Sequence, residues 1–175
     1  MIRRGCRKNG SPDLQMTMKI CVFSDSHGYA DNMIEAVRRE KPTLCFFLGD
    51  GESELVTLRG RYPDLPVNAV RGNCDLRSAQ PLILNCAVGG LKIFAAHGHQ
   101  YEVKYDDALH ELCYAALRAD ADVLLFGHTH LPYLDRHLGM EIMNPGTIGK
   151  VKSPSYGVLT IEDGKAQAEI KYLNE

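Results

Sequence analysis

Five times along the chain a short apolar run breaks off into a polar loop headed by Asp, Asn or His. KICVF leads to Asp25-Ser26-His27, LCFFL to Gly49-Asp50, and VNAV, through Arg71, to Gly72-Asn73. Later, KIFAA leads to His97-Gly98-His99, and VLLF to Gly127-His128-Thr129-His130. Runs this short and this continuously apolar read as strands covered on both faces rather than as amphipathic helices. Between the first three lie helical stretches. Residues 29–40 carry Met33, Ile34 and Val37 on one face, with Asp31 early and Arg38 and Arg39 late, as the helix dipole favours. Residues 53–61 form a more polar helix. A βαβαβ start implies parallel pairing, and in such sheets ligands gather where loops leave the carboxyl ends of the strands.

The second half continues with strands over 82–88, 91–96 and 123–126, and a helix over 105–117 presenting Leu109, Leu112, Cys113, Ala116 and Leu117 on one face. The tail alternates apolar and polar residues between Gly turns, which predicts antiparallel strands over 131–137, 141–143, 156–161 and 166–172. The expected fold class is α/β, with two sheets and the helices outside them.

With 45% hydrophobic residues among 175, the chain can bury one domain core, expected over 18–175. Residues 1–17 are basic and polar and read as a flexible leader, with Met16 or Met18 as alternative starts. The leader lacks the apolar stretch of a secretory signal, and no run approaches the ~20 apolar residues of a membrane-spanning helix. A net charge of −2 gives no drive toward nucleic acid or an anionic membrane, and beyond the leader no Lys/Arg cluster marks a nucleic-acid groove. The six cysteines are scattered, three or four of them in apolar runs, without a C-x-x-C pair. Buried thiols in a reducing cytoplasm fit this pattern better than disulfides or a thiolate zinc site.

Singly, each polar cluster has an ordinary explanation. An Asp after a strand caps a helix or begins a turn, and Gly-Asn is a common turn pair. Together they form an ordered set of carboxylates, one amide and several imidazoles. This mixed N/O set suits Mn²⁺, Fe, Ni or Zn better than Ca²⁺ or Mg²⁺. The candidate metal ligands are Asp25, His27, Asp50, Asn73, His97, His128 and His130.

The order D-x-H, G-D, G-N-[HC]-[DE], H and G-H-x-H resembles the calcineurin-like metallophosphoesterases. It appears here as Asp25-Ser26-His27, Gly49-Asp50, Gly72-Asn73-Cys74-Asp75, His97 and Gly127-His128-Thr129-His130. Asn144-Pro145-Gly146-Thr147 resembles the N-P-G-S that often follows. The short length and the G-N-C-D form are similar to the small YfcE-like phosphodiesterase branch. The resemblance implies an αββα sandwich and two divalent cations, first of all Mn²⁺, with Ni²⁺, Fe²⁺ or Zn²⁺ as alternatives. One cation would be held by Asp25, His27, Asp50 and His130, the other by Asp50, Asn73, His97 and His128. Asp50, Asn73 and His97 would also count as catalytic. A hydroxide spanning the cations would attack phosphorus in line, without a Ser or Cys nucleophile.

Cys74 stands where larger relatives carry a histidine thought to protonate the leaving group. A thiol is a weak donor, so the resemblance implies small phosphodiesters with good leaving groups as substrates. The alternative is that Cys74 is a small buried filler. Asp75 would brace its loop or orient His97. His99 would contact the leaving group or phosphate, or serve only as support. The rival functions are a phosphomonoesterase or nucleotidase, and a non-catalytic scaffold like the retromer subunit of similar fold. Against the scaffold, every ligand position here holds a competent residue. Relatives are often homodimers or homotetramers.

Overall fold

The computed structural model describes residues 17–175. The leader expected over 1–17 lies outside the described residues apart from Thr17, whose hydroxyl donates to Glu162 Oε1 (2.8 Å).

Strand β1 (Met18–Phe23) shows why these runs are continuously apolar. Ile20 and Val22 point into a core between two sheets, whereas Cys21 and Phe23 point outward against helices α1 (Asp31–Glu40) and α2 (Glu52–Arg61). Helix α1 buries Met33, Ala36 and Val37, spaced to cover one face. It ends at Lys41, left-handed at φ 49°, whose N–H donates to the Val37 carbonyl. Parallel partners β2 (Leu44–Phe47) and β3 (Val67–Ala69) extend the sheet on one side of β1. On the other side lie β9 (Ser155–Glu162), antiparallel to β1, and β10 (Lys165–Tyr172).

The second sheet runs β4 (Ile83–Val88), β5 (Leu91–Ala96), β6 (Val123–Leu125), β8 (Met140–Pro145) and β7 (Pro132–His137). Ile93, Ala95, Val123, Leu125 and Met143 face the first sheet, while Phe94, Ala96, Leu124 and Ile142 face helix α3 (His110–Arg118). The result is two five-stranded sheets packed face to face with helices on both outer sides, the αββα arrangement expected. Among the described residues no helix is long and apolar enough to cross a membrane.

Two expectations are corrected. Helix α3 begins at His110, not near 105. Leu109 adopts a left-handed conformation (φ 55°), and the Asp106 carboxylate accepts the His110 backbone N–H at 2.6 Å, so the preceding residues are held in turns. The tail is also not wholly antiparallel. β8 pairs antiparallel with β7 but parallel with β6, and its Met140, Ile142 and Met143 are buried because both its faces are covered.

The cysteine reading holds in part. Cys21, Cys45 and Cys113 are buried, Cys86 is half-buried, Cys74 is exposed, and these five are free thiols. Cys6 lies outside the described residues. The filler reading of Cys74 is therefore overturned.

Candidate metal centre

The carboxyl ends of β1, β2, β3, β5 and β6 meet at one edge of the sandwich, and all seven candidate ligands converge there. Asp25 and His27 follow β1, Asp50 follows β2, Asn73 follows β3, His97 follows β5, and His128 and His130 follow β6. Asp25, His27 and His130 offer ligand atoms that lie mutually within 4.8 Å; Asp50, His97 and His128 do the same. Asn73 Oδ1 stands 3.2 Å from His97 Nε2, which adds it to the second group. Asp50 Oδ2 lies 3.5 Å from His97 Nε2 and 4.0 Å from His27 Nε2, so one carboxylate oxygen stands between the groups.

Glycine makes this convergence possible. A Cβ on Gly72 would fall 2.0 Å from Asp50 Oδ1, and one on Gly127 would fall 1.9 Å from Ser24 Oγ. The small residues before Asn73 and His128 thus let ligand loops press against one another. Five of the seven candidates, Asp25, His27, Asp50, His128 and His130, hold left-handed φ values between 43° and 69°. That conformation costs an L-residue roughly 1–2 kcal/mol and gathers at functional sites.

The electrostatics point to a cation. His97 Nδ1 lies 2.7 Å from the Leu48 carbonyl and donates to it, which turns the Nε2 lone pair of the neutral ring inward. There it meets His128 Nδ1 at 3.1 Å, beside the Asn73 and Asp50 oxygens. In the other group, His27 Nε2 and His130 Nε2 face each other at 3.2 Å. Asp25 Oδ1 is fully buried and has no hydrogen-bond donor of acceptable geometry, although His130 Nε2 is 3.1 Å away. Acceptors that converge without protons between them are what a divalent ion satisfies. The donor set fits the metals expected.

The pKa directions keep both carboxyl groups, Asp25 and Asp50, ionised. Burial pushes Asp50 up, but the His97 ring and the Cys74 backbone N–H outweigh it and hold the carboxyl well below the usual range. Asp25 is likewise lowered: burial opposes ionisation, and the adjacent His130 and His97 rings overcome it. Burial would lower His97, yet Asp50 and Asp25 raise it. His128, desolvated beside His97, falls to about 4, which favours the neutral imidazole that a metal needs.

A layer of hydrogen bonds fixes the loops. Asp75 accepts the backbone N–H groups of Asp50 (2.7 Å), Gly51 (3.0 Å), Glu52 (3.0 Å) and Gly72 (2.9 Å). It braces two ligand loops and does not touch His97. Cys74 donates its backbone N–H to Asp50 Oδ1 (2.8 Å), and partial desolvation with the Asp50 carboxylate pushes its thiol up to about 11. His99 packs against the His97 ring with centroids 5.4 Å apart, and its buried Nδ1 has no partner among the described residues. Four bracing groups escaped the sequence reading as individual roles. Ser24 donates to Asp25 Oδ2, Thr147 donates to the Asp25 carbonyl (2.7 Å), Asn144 donates to the Gly127 carbonyl (3.0 Å), and the Leu48 carbonyl orients His97. The Asn144-to-Thr147 motif was the available signal for two of them.

Comparison with known proteins gives the same reading. The probable metallophosphoesterase YsnB of Bacillus subtilis (strain 168) is 33% identical over 153 residues, covering 85% of this chain and 88% of the relative. Phosphodiesterase YfcE of Escherichia coli (strain K12) is 32% identical over 104 residues, only 53% of this chain and 52% of the relative. A solved structure of a predicted phosphoesterase from Streptococcus pneumoniae TIGR4 superposes with a TM-score of 0.73 at 24% identity, covering 91% of this chain and 92% of that one. At that identity the likeness speaks for the fold. A family profile described as the calcineurin-like phosphoesterase superfamily domain matches residues 18–164. The chain belongs to the calcineurin-like phosphoesterase superfamily.

Proposed function

We propose that this metal-dependent phosphoesterase is a cytoplasmic phosphodiesterase that acts on small diesters through a centre of two divalent cations. Mn²⁺ is the first choice, and Ni²⁺, Fe²⁺ or Zn²⁺ suit the same donors. The observation that carries the reading is Asp50 Oδ2 standing between the two ligand groups, within 3.5 Å of His97 and 4.0 Å of His27. Asp25, His27, Asp50 and His130 would hold one cation, and Asp50, Asn73, His97 and His128 the other. Bound there, the pair supplies positive charge for the phosphoryl oxygens and brings the pKa of water toward neutrality.

The chain's own contribution is positioning. The Leu48 carbonyl fixes the His97 tautomer, and Asp75 holds the Asp50 and Asn73 loops in register. The diester preference rests on Cys74, whose raised thiol is a poor proton donor to an expelled alkoxide, and on the likeness to YfcE. The absence of an imidazole at that position disfavours esters whose leaving group must be protonated and favours those, such as aryl esters, whose leaving group departs as a stable anion.

The test begins with chelation, followed by return of each metal separately, with bis(p-nitrophenyl) phosphate and p-nitrophenyl phosphate as substrates. Activity is expected to return with metal and to favour the diester. Asp50→Asn should lower it at least ~100-fold, since even outer-shell changes at metal centres cost 10–100-fold. Full metal-dependent activity in Asp50→Asn would sink the reading.

A further inference from the structure

A cleft of about 650 Å³ opens beside the centre, with His27, Asp50 and Cys74 at its inner end. Val56 on α2 and Leu76 on the loop after Asn73 also line it, residues exposed to 61% and 86%. Exposed apolar residues are unremarkable when scattered. These two border one cleft, and that cleft is continuous with the candidate centre. Val56 is also the only apolar residue of α2 left outside the core, since Leu55 and Leu58 are fully buried. Leu76 sits in a loop held by the four hydrogen bonds to Asp75. The backbone that carries it is therefore held near the centre.

Charge narrows the occupant further. Glu52 and Glu54 place two carboxyl groups along the cleft, and besides His27 of the candidate centre Arg77 is the one basic residue among those lining it. Ser78 donates to Glu52, and Ser26 and Ser53 donate to Glu54, so both carboxyl groups are held in place. An ester arm carrying a further phosphate or carboxylate would meet net negative charge there, outside the reach of the seven metal-binding candidates.

We propose that the cleft bordered by Val56 and Leu76 binds one ester arm of the substrate and selects an apolar, uncharged arm, aromatic or comparably bulky. The substrate class is then a monoanionic phosphodiester with at least one hydrophobic alcohol, rather than a dinucleotide or an ester bearing several phosphates. This inference rests on the phosphodiesterase reading above.

The test uses the metal-loaded protein and three competitive inhibitors of bis(p-nitrophenyl) phosphate hydrolysis. Diphenyl phosphate carries two apolar arms, dimethyl phosphate none, and bis(4-carboxyphenyl) phosphate has arms of similar size with added negative charge. Diphenyl phosphate is expected to bind at least about tenfold more tightly than either of the others, the scale of discrimination that a hydrophobic pocket supplies. The double variant Val56→Ser, Leu76→Ser should lose that preference and raise KM for bis(p-nitrophenyl) phosphate while binding metal as wild type does, because both residues are exposed and lie outside the metal-binding groups. Its melting temperature serves as the folding control. A wild type that does not discriminate, or a double variant that discriminates as well as wild type, overturns the proposal. Metal-loaded wild type that hydrolyses no diester at all overturns the phosphodiesterase reading itself, a distinct result.

Discussion

At the scale of single residues, Asp75 is the clearest case of a side chain acting through others. Its two oxygens take four backbone N–H groups, three from the Asp50 loop and one from Gly72. Removing a buried acceptor leaves donors unsatisfied at roughly 1–3 kcal/mol each, less where water enters. Asp75→Ala is therefore expected to destabilise the protein by at least about 2 kcal/mol in chemical denaturation. It should also weaken metal binding about 10–100-fold, the usual cost of losing outer support at a metal centre. Asp75→Asn keeps one acceptor oxygen and should recover part of both losses. A variant that binds metal as tightly as wild type would show that the loops hold their shape without the clamp. The left-handed Asp25, His27, Asp50, His128 and His130 make that outcome unexpected, because strained loops need supports that over-determine them.

At the scale of elements, the strands and their polar loops were legible because each run is buried on both faces and breaks at a rigid edge. The seven candidate residues were legible for the same reason, since loops leaving parallel strands share one side of the sheet. What escaped depended on partners distant in sequence or on local turn chemistry. The start of α3 hinges on Asp106 and a left-handed Leu109, which periodicity cannot register. The parallel seat of β8 beside β6 reflects burial by α3 on one face and the first sheet on the other, whereas its sequence read as one half of a hairpin. The junction of α1 with its sheet was equally hidden. Glu40, the last residue of α1, accepts from Lys171 (3.0 Å), Lys19 (3.2 Å) and Tyr156 (3.1 Å), and these partners offset an acid at a helix C-terminus. Burial pushes its carboxyl up, but those donors outweigh burial and lower it. A depressed folded-state pKa means that the stabilisation is complete above the unfolded value near ~4.3 and is lost as pH falls through the folded one. Glu40→Gln should cost about 1 kcal/mol at pH 7, a solvent-screened value, and the difference from wild type should shrink toward pH 3. Equal unfolding midpoints of the two proteins at pH 7 would count against this junction.

At the scale of the molecule, the candidate centre joins two halves whose faces meet mainly through apolar packing. Asp25, His27, Asp50 and Asn73 come from loops of the first sheet, and His97, His128 and His130 from loops of the second. Cations held by both sets would pin the sheets together at that edge and offset the cost of five left-handed residues and crowded acceptors. Ligands that bind only the folded chain stabilise it by RT ln(1 + [L]/Kd), about 2.7 kcal/mol per site at a hundredfold excess over Kd. For a chain of this size each kcal/mol moves the melting temperature by about 2–4 °C. Two filled sites should therefore raise it by about 10–20 °C over the chelated protein, and one filled site by about half as much. Calorimetry across a Mn²⁺ titration can separate the two cases. His97→Ala removes a donor from the second group only, so it should abolish part of the rise. Asp50→Asn weakens the oxygen that stands between the groups and should abolish most of it. If chelated and metal-loaded protein melt together, the centre binds too weakly to join the sheets, and the convergent lone pairs would have to be satisfied by protons on the imidazoles instead.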